Sequence, residues 1–91
     1  MAEVKSIGIL ETRGFVPLIE GADAAVKAAN VEIVEWRKVG SGYVSFVVEG
    51  EVAAVRSSIE SAREAAIKVG EVISDLVIPR PVSELKTTFN K

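Results

Sequence analysis

Hydroxyl, lysine, arginine and carboxylate side chains are the reactive groups in this chain, because histidine and cysteine are both absent. Their absence excludes disulfides, thiolate or imidazole metal sites, and Ser-His or Cys-His catalysis. The 13 acidic residues are scattered over expected surface positions, and no close pair is implied that would separate two carboxyl pKa values for acid–base chemistry. No Walker loop or dinucleotide fingerprint is present. The sequence therefore predicts a protein that is not an enzyme and that holds no metal or cofactor.

A serine between two glycines follows Lys38 and Val39, in the run Gly40, Ser41, Gly42. Two glycines free the backbone to expose its N–H groups, which can form an anion-attracting concavity or line a narrow passage. The same residues also suit an ordinary hairpin turn with glycine at positive φ. Taken alone, this loop leaves both interpretations open.

Two other groups of charged residues have notable spacing. Asp23 and Lys27 are four residues apart, which predicts an ion pair on one face of a helix. An exposed ion pair is the usual explanation of this spacing. Pro79 and Pro81 flank Arg80 and restrict the backbone on both sides of its guanidinium. That arrangement favours a contact between Arg80 and a carbonyl or carboxylate of a partner, or else a stiff exit from the preceding strand.

Length and composition indicate one small domain. The chain has 91 residues, enough for a single core that buries about 60–65% of the unfolded surface. Its net charge of −2 argues against a nucleic-acid partner. No apolar run is long enough for a membrane span and the first residues do not resemble a signal peptide, so we expect a cytosolic protein. Mean hydropathy of +0.30 is high for this size, so some apolar surface is expected to face another subunit.

Hydrophobic periodicity predicts six elements along the chain. They are a strand over 4–10 followed by a turn at 11–14, a helix over 16–29, strands over 31–39 and 43–48 joined as a hairpin, a helix over 52–69, and a strand over 72–78. The order βαββαβ predicts an α+β, ferredoxin-like sandwich with a mostly antiparallel four-stranded sheet and both helices on one face. Alanines on both helices predict close helix packing. The single domain spans 1–91, with its core over 4–81 and a short polar C-terminal tail over 82–91.

Several stretches together resemble one known family, the bacterial microcompartment (BMC) shell proteins of the single-domain, hexamer-forming type. The resemblance runs from about Ile7 to Pro81, through Gly8–Phe15 and the stretches EGADAAVKAANV, KVGSG, GEVAAV and VGEVISDLVIPRP. It implies a structural homohexamer that joins adjacent shell hexamers and other shell proteins in a flat facet. The facet would enclose metabolic enzymes in the bacterial cytoplasm.

The resemblance also implies roles for individual residues. Lys38, Gly40, Ser41 and Gly42 match the pore loop, which would pass small polar metabolites along the ring axis, with Lys38 adding positive potential. The residues that match the hexamer edge are Asp23, Lys27, Asn30, Pro79 and Arg80.

The chain departs from the family at Leu76 and Val82, positions that are often histidine in relatives, so no pH-dependent or histidine-mediated contact is carried over. The ending Val77–Pro81 looks more like shell proteins of catabolic compartments than those of carboxysomes. The main alternative is a ferredoxin-like small-molecule-binding regulatory domain. An acylphosphatase-like hydrolase would need a phosphate-gripping arginine loop, for which Arg13 before Gly14 is a faint signal.

Overall fold

The computed structural model describes residues 5–79, so Arg80 and the tail over 82–91 lie outside the described residues. Six elements follow one another in the predicted βαββαβ order. They are β1 (Ser6–Arg13), α1 (Phe15–Ala28), β2 (Glu32–Gly40), β3 (Tyr43–Gly50), α2 (Val52–Ile67) and β4 (Glu71–Ile78). The strands form one sheet in the order β2-β3-β1-β4, and all three pairings are antiparallel. The predicted fold class is confirmed, and β2 and β3 form the expected hairpin.

The first strand is longer than predicted. Residues 11–13, expected to turn, continue the strand, because Arg13 pairs with Tyr43 on one side and with Glu71 on the other. Backbone pairing with two neighbours holds this polar segment extended even though its side chains do not resemble a strand. The chain turns only at Gly14, where φ is +84°.

The core lies between one face of the sheet and the two helices. Leu10, Phe46 and Val48 from the sheet meet Leu18 of α1 and Ile59 of α2, all of them almost fully buried. Each such side chain contributes about 1.5–3 kcal/mol to stability by leaving water. This cluster holds both helices on the same face of the sheet, as predicted.

The helices approach each other closely through small residues. Four alanines on the facing surfaces are buried, Ala22 and Ala25 on α1 and Ala62 and Ala66 on α2. A Cβ built on Gly21 would lie 3.2 Å from the carbonyl oxygen of Ala62, so the backbones are nearly in contact there. The predicted close packing of alanine-rich helices is confirmed.

Large apolar side chains remain exposed outside this core. Ile9 pairs with Val47 and Leu76 on the sheet face that carries no helix, and Leu76 is 52% exposed. The edge strands and the start of α1 carry further exposed apolar residues, namely Phe15, Val16, Ile19, Val34, Trp36, Val39, Ile73 and Ile78. Apolar surface beyond the core is thus present, as the mean hydropathy predicted. Neither helix within residues 5–79 is both long and apolar enough to cross a bilayer.

Candidate functional site

The loop formed by Gly40, Ser41 and Gly42, the 40–42 loop, is a tight hairpin turn. Gly40 pairs with Tyr43, which leaves Ser41 and Gly42 as the two central residues. Their φ values are +56° and +82°, and positive φ at both central positions is the requirement of a type I′ turn. The hairpin interpretation is therefore confirmed, and a role for the same loop in a passage stays a prediction.

This loop projects into open space. A Cβ built on Gly40 or Gly42 would meet nothing within 4 Å, and Ser41 is exposed. Lys38 is also exposed and lies two residues before the loop. The Ser41 hydroxyl and the neighbouring backbone are thus accessible to a solute or to another copy of the chain.

A cleft of about 330 Å³ lies beside the loop. Its lining combines Lys38 with the exposed apolar side chains of Phe15, from the start of α1, and Val39. The cleft joins the loop to the β1–α1 turn, so any partner that covers it would contact both segments.

The β1–α1 turn is hydrogen-bonded to the end of the 40–42 loop. The Gly14 amide donates a hydrogen bond of 2.7 Å to the Gly42 carbonyl. The Arg13 guanidinium carbon lies 5.4 Å from the centre of the Tyr43 ring, and Nη2 donates to the Tyr43 hydroxyl at 3.4 Å. This hydrogen bond, and then the nearby Glu71 carboxylate, hold the pKa of Arg13 above its usual range. Apart from the presence of Gly14, no local sequence pattern indicates these contacts, because they depend on the β1–β3 register.

Asp23 and Lys27 form the predicted ion pair on α1. The Lys27 Nζ lies 2.9 Å from the Asp23 Oδ2, and both side chains are exposed. The hydrogen bond that Lys27 donates to Asp23 raises the pKa of Lys27 above its ordinary value of 10.5. The pair therefore favours the charged form of Lys27 and directs its ammonium group towards Asp23.

Asn30 and Pro79 lie at the end of the sheet opposite the 40–42 loop. Pro79 directly follows Ile78, which pairs with Ile7 at the beginning of β1. A Cβ built on Gly50, at the end of β3, would lie 3.2 Å from the backbone oxygen of Asn30. Asn30 and Pro79 thus share one end of the domain.

Helix α1 connects the two ends. It begins after Gly14, beside the loop, and its 14 residues span about 21 Å. Lys27 lies in its last turn, towards Asn30. The predicted loop residues and the predicted edge residues within residues 5–79 are therefore separated by the length of a helix in one domain.

A second cleft, of about 550 Å³, surrounds Asn30 and carries several carboxylates. Glu32 pairs directly with Glu49, and Lys5 Nζ lies 3.8 Å from a Glu49 carboxylate oxygen. Sequence reasoning missed this acidic cleft because the β2–β3 register, rather than the spacing along the chain, brings Glu32 and Glu49 together. Across residues 5–79, no cluster of three or more potential metal-ligating side chains is found.

Comparison with known proteins identifies the family. The model of the BMC domain matches residues 6–81. The chain belongs to the BMC domain family. It is 42% identical over 86 residues to the bacterial microcompartment shell protein EutM of Salmonella typhimurium, covering 94% of this chain and 90% of that protein. It is 45% identical over 83 residues to the carboxysome shell protein CcmK2 of Synechocystis sp., covering 89% of this chain and 81% of that protein.

A solved structure of a microcompartments protein from Desulfitobacterium hafniense matches this BMC chain with a TM-score of 0.79 and 34% sequence identity. The match covers 96% of this chain and 49% of that one, so this chain spans about half the length of the solved protein. The resemblance of the sequence to single-domain BMC shell proteins is confirmed. The chain is thus a structural protein of the microcompartment shell family.

Proposed function

We propose that this BMC protein forms a six-membered ring that tiles into a shell facet, with the 40–42 loop of every copy around a central pore. The observation that carries this proposal is the opposite placement of the loop and of Lys27, Asn30 and Pro79 within one domain. A wedge-shaped subunit of a ring needs one end for the axis and the other for the perimeter. Helix α1 supplies the separation between them.

Exposed apolar surface supports association between copies. Trp36 on β2 is 51% exposed and Phe15 at the start of α1 is 54% exposed, although both are large and apolar. Isolated exposed apolar residues are common, whereas a small domain with many of them along both edge strands is typical of a subunit. Closed rotational symmetry buries the same surface on every copy.

The chemistry of the loop suits small polar metabolites. Around a sixfold axis, Ser41 would present a collar of hydroxyl groups, and the flanking glycines would add no side chains to narrow the passage. Lys38 would place positive charge near the opening, which attracts anions even though the chain has a net charge of −2. Pore width and hydrogen-bonding groups then select small polar solutes over bulky cofactors.

The opposite end of the domain suits a weak contact between neighbouring hexamers. Two Lys27 ammonium groups near a twofold axis would repel each other unless carbonyl groups or water accept hydrogen bonds from them. A single exposed contact of this kind contributes little. Many such contacts repeated along a facet make assembly strong overall and still reversible.

The compartment is proposed to be of a catabolic type, because the Val77–Pro81 segment resembles the shell proteins of such compartments more than those of carboxysomes. The protein would then act without catalysis in the bacterial cytoplasm, joined to other shell proteins around encapsulated enzymes.

Native mass spectrometry of the full chain tests the ring directly. We expect the mass of six copies at micromolar concentration. A stable monomer or dimer would contradict the ring and favour the small-molecule-binding regulatory domain. Arg13, on which the hydrolase alternative depended, is already engaged by Tyr43 and Glu71.

A further inference from the structure

Thr12 is a buried polar residue next to the 40–42 loop. Its side chain is fully buried, and its backbone pairs with Val44 of β3 and Val72 of β4. The hydroxyl group donates a hydrogen bond of 2.9 Å to the Gly14 carbonyl oxygen. A valine would fill the same space in this apolar setting, so the hydroxyl is the part of Thr12 that packing does not explain.

Gly14 is held on both sides of its Cα by hydrogen bonds. Its carbonyl accepts from Thr12, and its amide donates to the Gly42 carbonyl at 2.7 Å. The resulting dihedral angles, φ +84° and ψ 164°, lie in a region that is essentially open only to glycine. A Cβ on Gly14 would meet nothing within 4 Å, so glycine is required there for its conformation and not for space.

The backbone conformation of the 40–42 loop requires support from neighbouring residues. Three consecutive residues have positive φ, including the non-glycine Ser41 at +56°. Its exposed tip has little side-chain packing to define its position. The bond from Gly14 ties the Gly42 end of the loop to β1, the strand between β3 and β4 in the sheet.

We propose that Thr12 is a positioning residue that fixes the 40–42 loop through Gly14. Its hydroxyl holds the peptide plane that carries the Gly14 carbonyl, so Gly14 keeps the dihedral angles at which its amide, on the other side of Cα, donates to the Gly42 carbonyl. This inference rests on the proposed pore, since it makes Thr12 a determinant of how wide the opening is and how well it excludes larger solutes.

Hydrogen exchange measured by NMR on the assembled full chain tests the link from Thr12 to the loop. Thr12→Val removes the hydroxyl and keeps the volume, whereas Thr12→Ser keeps the hydroxyl and loses a methyl group. We expect the Gly14 amide to exchange about five- to tenfold faster in Thr12→Val and to stay close to the original rate in Thr12→Ser. Amides of α2 serve as the internal reference and should be unchanged in both variants.

Two results would overturn the assignment. One is an unchanged Gly14 amide in Thr12→Val, and the other is a faster exchange in Thr12→Ser than in Thr12→Val, which would indicate packing. If Thr12→Val does not fold, Thr12→Ala tests the same link, because alanine differs from serine at this position only by the hydroxyl group. The Gly14 amide should exchange faster in Thr12→Ala than in Thr12→Ser, and equal rates in these two variants would contradict the proposal.

The rates at which a small and a bulky substrate reach an encapsulated enzyme distinguish a failure of the Thr12 proposal from a failure of the pore proposal. Thr12→Val should raise the relative entry of the bulky substrate, and Thr12→Ser should not. If Ser41→Asn alters passage and Thr12→Val does not, Thr12 has no role in selectivity and the pore stands. If neither variant alters passage, the pore proposal fails, and with it the role of Thr12 in selectivity.

Discussion

The ammonium group of Lys27 lies 2.9 Å from a carboxylate oxygen of Asp23, one helical turn earlier on the exposed face of α1. The ion pair does not connect two elements, so it does little to hold the fold together. Its effect is to limit the directions that a long, exposed lysine side chain takes at the end of the domain away from the 40–42 loop.

Lys27→Ala should leave the ring intact and abolish extended sheets or tubes. The side chain is exposed and lies outside the core, so the fold does not depend on it. Under the proposed tiling, however, every edge of every hexamer would lose the same contact. Native mass spectrometry checks the ring, and electron microscopy checks the assemblies.

Lys68→Ala is the matched control, because it removes the same charge from an exposed position at the end of α2. Sheets should form normally in that variant. If Lys27→Ala also forms normal sheets, Lys27 does not contribute to the contact between neighbouring hexamers.

Sequence periodicity was sufficient for the elements whose apolar residues face one core. Helix α2 is the clearest case, since Val55, Ile59, Ala62 and Ala66 recur at helical spacing and are all buried. The end of β1 could not be predicted in this way, because Arg13 is polar and is held extended by pairing with strands far away in the sequence.

The features of the candidate site also differ in whether local sequence predicts them. The type I′ turn at Ser41 and Gly42 and the ion pair of Lys27 are local and follow from neighbouring residues. The hydrogen bond between Gly14 and Gly42 joins residues 28 positions apart, and the sheet register rather than proximity along the chain brings them together. Individual roles for loop and edge residues came from the family resemblance, since no local pattern distinguishes a pore from an ordinary hairpin.

Gly8→Ala should destabilise the protein by about 1–3 kcal/mol through overpacking. A Cβ at this position of β1 would lie 2.5 Å from Ile59 Cγ1 and 2.8 Å from Val55 Cγ1, and both side chains are buried in the core. Thermal unfolding at a fixed protein concentration, which keeps any assembly equilibrium constant, measures the loss.

A double-variant cycle identifies the cause. Ile59→Ala alone leaves a cavity, but combined with Gly8→Ala it makes room for the new methyl group, so the two losses should sum to more than the loss in the double variant. Strictly additive losses would show that the clash with Ile59 is not the reason.

The Glu35 carboxyl should titrate below its ordinary pKa of 4.5. Arg37 donates from Nε to Glu35 Oε2 at 2.7 Å and from Nη2 to Oε1 at 3.2 Å, and this hydrogen bonding lowers the pKa of Glu35. A lowered pKa in the folded state means that the contribution to stability is present above pH 4.5 and is lost as the pH falls through the lowered value. Because both groups are exposed, the effect on stability is expected to be small.

Carbon NMR of the Glu35 carboxyl group measures this titration. Arg37→Gln should return the midpoint towards 4.5, whereas Arg56→Gln, which removes an exposed charge from α2, should leave it lowered. A midpoint that does not respond to Arg37→Gln would assign the shift to another cause.

Ser41→Asn should slow the entry of small polar metabolites while leaving the ring intact. Asparagine tolerates the positive φ of Ser41, so the turn is expected to keep its conformation, and the larger side chain would narrow a sixfold opening at every copy. Ser41→Gly keeps the same turn and removes the side chain, so it should not slow entry. Flux to an encapsulated enzyme, compared with that of the same enzyme released from its shell, separates transport from catalysis. Equal flux through the Asn and Gly variants would mean that the loop does not line the route that metabolites take.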